Sequence, residues 1–260
     1  MPAAAIFAVI ILAGGRGGRL GGADKPGLIV GRSTLAASVV TAAIGAGARR
    51  VVVVGPPRPD LQPLSALLPC GLAVVQENPP AAGPVPALRC GLRVVREPWV
   101  ALLAADLPFL RAEHLRLLVT AAAPPLGGDQ ASQASQASAL RNADQGSGGR
   151  PESRVSAGAV FVDGNGIPQW LAGCWQTGHL RAALASYSGT SLRGLLTPLR
   201  PVTAGWRTAE GEPPPWQDCD TPADLRLARD CHAQSGSGRP GGPARASRTP
   251  VNTHAGRSHP

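Results

Sequence analysis

Lysine is almost missing from this sequence. Of 25 basic residues in 260, one is lysine, Lys25, and the other 24 are arginine. Aromatic residues reach only 3%, with a single tyrosine, so any core must be built from the Ala, Val and Leu that dominate the 43% hydrophobic content. The five cysteines, Cys70, Cys90, Cys174, Cys219 and Cys231, have no C-x-x-C spacing, which excludes a disulfide framework and a zinc site as organising features. The opening Met-Pro-Ala-Ala-Ala lacks the positive region of a signal peptide and no transmembrane run follows it, so the expectation is a cytoplasmic chain with no membrane partner. Acids are absent from residues 234–260, whose Arg239, Arg245, Arg248 and Arg257 supply +4 of the formal charge of +9. No basic run interleaved with aromatics accompanies that charge, so nucleic acid is not the expected partner.

What the sequence has in quantity is glycine, and it is concentrated where the lone lysine lies. Six of the fifteen residues from Leu12 to Pro26 are glycine, with Arg16, Arg19 and Lys25 among them. The stretch follows the apolar run Ile6–Ile11, which reads as a buried strand. Glycines let a backbone approach a ligand closely, and bare N–H groups with fixed cations suit a polyphosphate. A compact ammonium at one position, in a chain that otherwise uses arginine, points the same way. The loop is not a Walker A motif, because Asp24 precedes Lys25 and Pro26 follows it. A dinucleotide fingerprint counted from Gly15 meets Leu20 where its third glycine belongs.

Further along, strands alternate with helices. Thr34 or Ser33 caps a helix to Ala46 closed by Gly47, and Arg50–Gly55 is a short, nearly all-apolar strand. A short helix is expected over Asp60–Leu68, a strand over Leu72–Gln76, a helix over Val85–Val95, a strand over Trp99–Ala104 and a helix over Arg111–Ala123. This predicts a single α/β, Rossmann-like domain with a mostly parallel central sheet, spanning residues 1–233. Residues 124–154 repeat Gln-Ala-Ser three times and read as a disordered low-complexity insertion. Order resumes at Ala157–Val162, with a hairpin turn at Asp163–Gly166 and a strand over Ile167–Trp175. Helices are expected over Gly178–Tyr187 and Ser191–Leu196, a last strand over Trp216–Asp220, and a helix over Thr221–Cys231 with Asp224 completing a capping box. The segment 234–260 reads as a disordered basic tail.

In an open α/β sheet, ligands bind beyond the carboxyl ends of the strands. Three features collect there: the glycine loop, the segment Gln76–Gly83, and Asp106. A carboxylate directly after an apolar strand, beside a phosphate loop, suits Mg²⁺, which takes one or two carboxylates plus phosphate oxygens. Asp218 and Asp220 share a face if their segment is a strand, and Asp218 is the favoured second metal contact. His114 and His179 fall at helix starts and read as capping or surface residues, while Trp170, Trp175 and Trp216 read as core or cleft wall.

The loop resembles the L-A-G-G-x-x-x-R-x-G-x-x-K-P signature of nucleotidyltransferases with a GT-A-like fold, through Leu12, Ala13, Gly14, Gly15, Arg19, Gly21 and Lys25-Pro26. With Gly83-Pro84, the Ala105-Asp106-Leu107-Pro108 segment, Gly166–Leu171 and the late Asp218–Leu225 segment, the order of motifs is similar to that of MobA-like NTP transferases, a family that contains the molybdenum cofactor guanylyltransferases. The resemblance implies a Mg²⁺-dependent transfer of NMP from an NTP, with GTP and molybdopterin as expected substrates and pyrophosphate as leaving group. It implies that Arg19, Lys25 and Asp106 are catalytic and that Leu12, Ala13, Gly14, Gly15, Gln76, Asn78 and Gly83 line the nucleotide. Asp106 and Asp218 would hold Mg²⁺, with Gln169 and Leu171 toward the acceptor. Glu77 stands where these guanylyltransferases commonly show Asp, Val85–Leu88 departs from their L-A-G-I, and Asp218 and Asp220 replace their asparagines. CTP or another acceptor, or a nucleotide-binding module without turnover, are the alternatives.

Overall fold

The computed structural model describes residues 5–14, 22–123, 156–206, 208 and 211–236. Gly15, Arg19, the insertion expected over 124–154 and the tail beyond Gly236 lie outside the described residues.

The sheet is built from short apolar segments. These are β1 (Phe7–Leu12), β4 (Arg50–Val54), β5 (Leu72–Val75), β6 (Trp99–Ala104), β7 (Gly158–Val162), β8 (Pro168–Gln176) and β9 (Val202–Ala204). They lie in the order β5-β4-β1-β6-β8-β7-β9. β8 is antiparallel to both its neighbours, and every other pairing in the sheet is parallel. A separate two-stranded hairpin of β2 (Ile29–Val30) and β3 (Ser33–Thr34) follows the glycine loop.

Both faces of the sheet are covered, which is why the strands read as unbroken hydrophobic runs. The pleat sends Val9, Ile11, Val51, Val53, Ala101 and Leu103 to one side. There they meet α1 (Leu35–Ala46) and α3 (Ala112–Ala122) through Val39, Val40, Leu115 and Leu118. Ile10, Val52, Val54, Val100 and Leu102 face the other side. They pack on α2 (Pro84–Leu92), α4 (Thr177–Ser186) and α5 (Leu192–Leu196) through Leu88, Leu180, Leu184 and Leu195. With so few aromatics, β-branched and leucine side chains fill the core, and Trp175 and Phe161 are the large exceptions, each at 0% exposure.

Helix ends follow their local signals. The Thr34 hydroxyl accepts from the Ala37 N–H at 3.1 Å, and Gly47 closes α1 at φ 93°. The last helix, α6 (Pro222–Gly236), begins in a capping box: the Thr221 N–H donates to Asp224 at 2.7 Å and the Asp224 N–H returns to the Thr221 hydroxyl at 3.2 Å.

Four expectations are corrected. Trp216–Asp220 is not a strand, because Pro213, Pro214 and Pro215 withhold N–H groups just before it, and its main-chain bond to the sheet end runs from the Cys219 N–H to the Asp106 carbonyl at 3.1 Å. The last strand is instead β9, parallel to β7. The helix at Pro59–Leu67 is 3₁₀, with Pro63 inside it. α2 stops at Leu92, short of Val95, and the Arg181 guanidinium caps it by donating to the carbonyls of Leu92 and Val95 at 3.0 and 2.7 Å. α6 continues to Gly236, past Cys231 and into the segment read as tail, because it packs on the β2–β3 hairpin: Ala228 is buried with Val30 and Leu35, and Arg229 Nε donates to the Ile29 carbonyl at 3.1 Å.

α2 lies against the sheet at Gly91, where an added Cβ would stand 2.8 Å from Val54 Cγ2 and 3.1 Å from Ile10 Cγ2. Gly91→Ala is therefore expected to destabilise the fold by about 1–3 kcal/mol through overpacking, despite alanine's better helix propensity. Urea unfolding at equal protein concentration reads the sign directly.

Candidate functional site

The carboxyl end of the sheet gathers the chemistry. β1 is pinned at its end on both sides: the Ala13 N–H donates to the Val54 carbonyl at 2.8 Å and the Ala105 N–H to the Leu12 carbonyl at 3.1 Å. Gly14, the last described residue before the glycine-rich segment, follows at this end of β1, whose neighbours are β4 and β6. After that segment the chain makes a 3₁₀ turn, Lys25–Gly27, in which Lys25 and Pro26 are buried.

Lys25 reaches two carboxylates. Its ammonium donates to Asp106, directly beyond β6, and to Asp220, directly before α6. The Lys25 side chain is 11% exposed and that of Asp106 16%. Desolvation opposes the charge on Lys25, but the hydrogen bonds and charges of Asp106 and Asp220 outweigh it and raise the amine above its ordinary 10.5. Asp218, favoured from the sequence as the second metal contact, keeps an exposed side chain. Partial desolvation, followed by the negative charges of Asp220 and Asp106, lifts its carboxyl above the usual range. Without a strand there, Asp218 and Asp220 need not share a face, and it is Asp220 that Lys25 touches.

A second ion pair braces the same turn. Both terminal nitrogens of Arg58, from the segment after β4, bind both oxygens of Asp24. The Arg58 side chain is 5% exposed. Gly27 leaves room for this pair, since a Cβ there would sit 2.3 Å from Asp24 Oδ2 and 3.1 Å from Arg58 Nη1.

Beyond β5, Glu77 is buried at 6% exposure. Its Oε1 accepts from the Ala81 N–H at 2.9 Å and stands 3.6 Å from where a Cβ on Gly14 would be. Its Oε2 is buried with no hydrogen-bond partner among the described residues. Gln76 and Asn78, on either side, are exposed, and Gly83 turns the chain at φ 107° into α2. β8 starts at this end of the sheet: Ala172 pairs with Leu103, which carries Leu171 and Gln169 to the level of the β6 terminus and beyond. The structure thus brings Leu12, Ala13, Gly14, Lys25, Glu77, Gly83, Asp106 and Asp220 to one sheet end, with Gln169 and Leu171 at its flank.

Asp24, Gly27 and Arg58 were not singled out from the sequence. Arg58 is one of 24 arginines and nothing local marks it, whereas Asp24 had a usable signal in its place next to the only lysine. His114 does serve as a cap, its Nδ1 accepting from the Arg111 N–H at 2.9 Å, and burial lowers its pKa. Among the described residues no group of three His, Cys, Asp or Glu forms a metal cluster. The donor set nevertheless fits a hard cation, because Asp106 and Asp220 already converge on one positive charge and phosphate oxygens can complete the shell.

A family model described as the MobA-like NTP transferase domain matches residues 9–202. Among solved structures, a nucleotidyl transferase from Methanothermobacter is similar at TM-score 0.60 and 17% identity, over 88% of this chain and 99% of that one. The 2-C-methyl-D-erythritol 4-phosphate cytidylyltransferase from Thermus thermophilus follows at TM-score 0.52 and 17% identity, covering 88% and 99%. Rv0371c from Mycobacterium tuberculosis is similar at TM-score 0.54 and 19% identity, covering 88% and 100%. At these identities the structures establish the fold. No curated protein matches the chain significantly.

Because Lys25 is the only lysine, selective ¹³C-lysine labelling reports it alone. Its amine is expected to titrate above 10.5, and Asp220→Asn is expected to move that titration down. A raised amine pKa means that the Lys25 contribution to stability is fully present below 10.5 and is lost as pH climbs through the folded-state value. Stability should therefore fall in that alkaline window faster in the parent protein than in Lys25→Met.

Proposed function

The chain belongs to the MobA-like NTP transferase family, and from that premise we propose that it transfers GMP from GTP to the terminal phosphate of molybdopterin, releasing pyrophosphate. The observation that carries the reaction class is the Lys25 ammonium caught between Asp106 and Asp220 at the foot of the glycine loop. A triphosphate entering that loop offers oxygens to Lys25, and the two carboxylates then need a new cation. Mg²⁺ held by Asp106 with Asp220 or Asp218 would supply neutralisation of the phosphate charge.

The remaining work is positioning and electrostatics. An acceptor phosphate oxygen attacks the α-phosphorus. A new P–O–P bond forms as the α–β bond breaks, and the electron pair leaves on pyrophosphate. Lys25, joined by Arg19 as expected from the loop motif, stabilises the charge that develops on the leaving group. Leu12 to Gly15 and the Gln76–Gly83 segment, including Asn78, hold the nucleoside. Gln169 and Leu171 face the acceptor. The five free, dispersed cysteines suit a reducing cytoplasm as the site of this reaction.

GTP is favoured over CTP by Glu77. A buried carboxylate with an unpaired oxygen calls for donors, because such a group is costly to leave unmatched. Guanine presents two adjacent donors, N1–H and the 2-amino group, to a carboxylate. Cytosine presents one amino group beside an acceptor nitrogen, which a carboxylate repels. The cytidylyltransferase neighbour and the aspartates at 218 and 220 keep CTP as the second reading.

The test is a titration with GTP, CTP and ATP, with and without Mg²⁺, followed by pyrophosphate release in the presence of molybdopterin. Mg²⁺-dependent preference for GTP is expected. Preference for CTP would retain the reaction class and change the product, whereas failure to bind any nucleotide would overturn the functional reading.

Lys25→Ala and Asp106→Ala are each expected to lower turnover by roughly 10²–10³-fold with the fold retained. Parent-like rates in either variant would sink the mechanism. Glu77→Gln should narrow the GTP-over-CTP ratio, since an amide offers one acceptor where the carboxylate offers two.

A further inference from the structure

We propose that Arg58 is a positioning residue for Lys25, acting through Asp24 in a clamp for which Gly27 leaves the space. The proposal rests on Lys25 as the phosphate-binding lysine and names what holds that lysine in place.

Lys25 sits where a glycine-rich loop rejoins the fold, and the residue before it has no helix-type cap of its own: the Asp24 side chain makes no capping hydrogen bond to the turn. It is spent instead on Arg58, 34 residues away, with two oxygens meeting two nitrogens. A bidentate fork fixes orientation as well as distance, which a single contact does not. Arg58 is itself anchored, since the Leu61 N–H donates to its carbonyl at 3.1 Å as the 3₁₀ helix begins. Among the described residues its guanidinium has no other hydrogen-bond partner, and its Nε is buried unpaired.

Stability alone gives this pair little reason to exist. The arginine is 5% exposed with one nitrogen unsatisfied, so its desolvation is costly, while the Asp24 side chain is 60% exposed and water weakens the attraction that would offset that cost. Nor does the backbone require glycine at 27, which does not lie at positive φ. The glycine is explained by the clamp, since any larger residue would drive its Cβ into the Asp24 carboxylate. Three residues from two distant segments thus converge on the backbone that carries Lys25.

The experiment compares Arg58→Gln, Asp24→Asn, Gly27→Ala and Arg58→Lys in the full chain. It reads kcat and KM for pyrophosphate release with GTP and molybdopterin, thermal melting, and the resonance of the single ¹³C-labelled lysine in nucleotide-free protein. Arg58→Gln, Asp24→Asn and Gly27→Ala are expected to lower kcat about 10–100-fold with KM within about threefold, and to shift or broaden the lysine resonance. The double variant Asp24→Asn/Arg58→Gln should be no worse than the poorer single, because both act through one contact. Arg58→Lys keeps the charge without the fork and should not rescue kcat. Gly27→Ala removes no charge, so it tests the clamp even where the unpaired buried arginine of Asp24→Asn unfolds that variant. Parent-like kcat in Arg58→Gln, full rescue by Arg58→Lys, multiplicative losses in the double variant, or an unmoved lysine resonance would each overturn the proposal. If the parent itself shows no nucleotidyl transfer, the reaction assignment fails, while the lysine resonance still decides whether the clamp exists.

Discussion

One ammonium group ties three separate pieces of chain into a site. Lys25 follows the glycine loop, Asp106 ends the strand β6, and Asp220 opens the helix α6; they lie 81 and 114 residues apart in turn and meet at a single positive charge. The contact draws α6 onto the site, and α6 in turn covers the β2–β3 hairpin that continues from the lysine turn. The two carboxylates repel each other, and the cation between them offsets that repulsion. The arrangement can accept a divalent ion because it already answers to that electrostatic demand with a monovalent one.

The sheet below sets where this can happen. Because both its faces are buried, its polar groups are pushed to its ends, and the parallel strands β5, β4, β1 and β6 all deliver their loops to the same edge. The main-chain bonds at Ala13 and Ala105 hold the three central strand ends level, so the glycine loop departs from a rigid rim. Glu77 and Gly83 enter from β5, Asp106 from β6, and Gln169 with Leu171 from the antiparallel β8, whose reversed direction places its start at that same rim. A single strand running against the rest thus adds its first residues to the rim formed by the ends of the parallel strands.

Much of this was legible in the sequence, for identifiable reasons. The strands were readable because two-sided burial demands the uninterrupted runs Arg50–Val54 and Trp99–Ala104, and the caps Thr34, Gly47, Thr221 and Asp224 are local chemistry. The lone lysine and Asp106 were readable as a pair because composition singles out the first and strand ending the second. What failed was whatever depends on tertiary company. The sequence of Trp216–Asp220 reads as a short last strand, yet three prolines before it and the contact to Asp106 leave it a loop, in which Asp220 meets Lys25. The end of α6 was set by packing on the hairpin rather than by propensity. The burial of Glu77 and of Arg58 has no sequence signature at all, because each is an ordinary charged residue until the fold removes its water.

The two cations at this turn differ in what each is suited to. Arg58 binds Asp24 through a planar fork, which is suited to a contact that must not move. Lys25 presents a point charge on a flexible stem, shared between two carboxylates with no fixed plane, and in the proposed reaction that suits a contact surrendered to phosphate. An arginine at position 25 could grip either carboxylate bidentately and would hold it against the incoming ligand. A lysine at position 58 could meet only part of the Asp24 carboxylate and would leave the turn free to pivot. In a chain that uses arginine 24 times, the single lysine is the cation shared between two carboxylates, and the arginine at the same turn is committed to one.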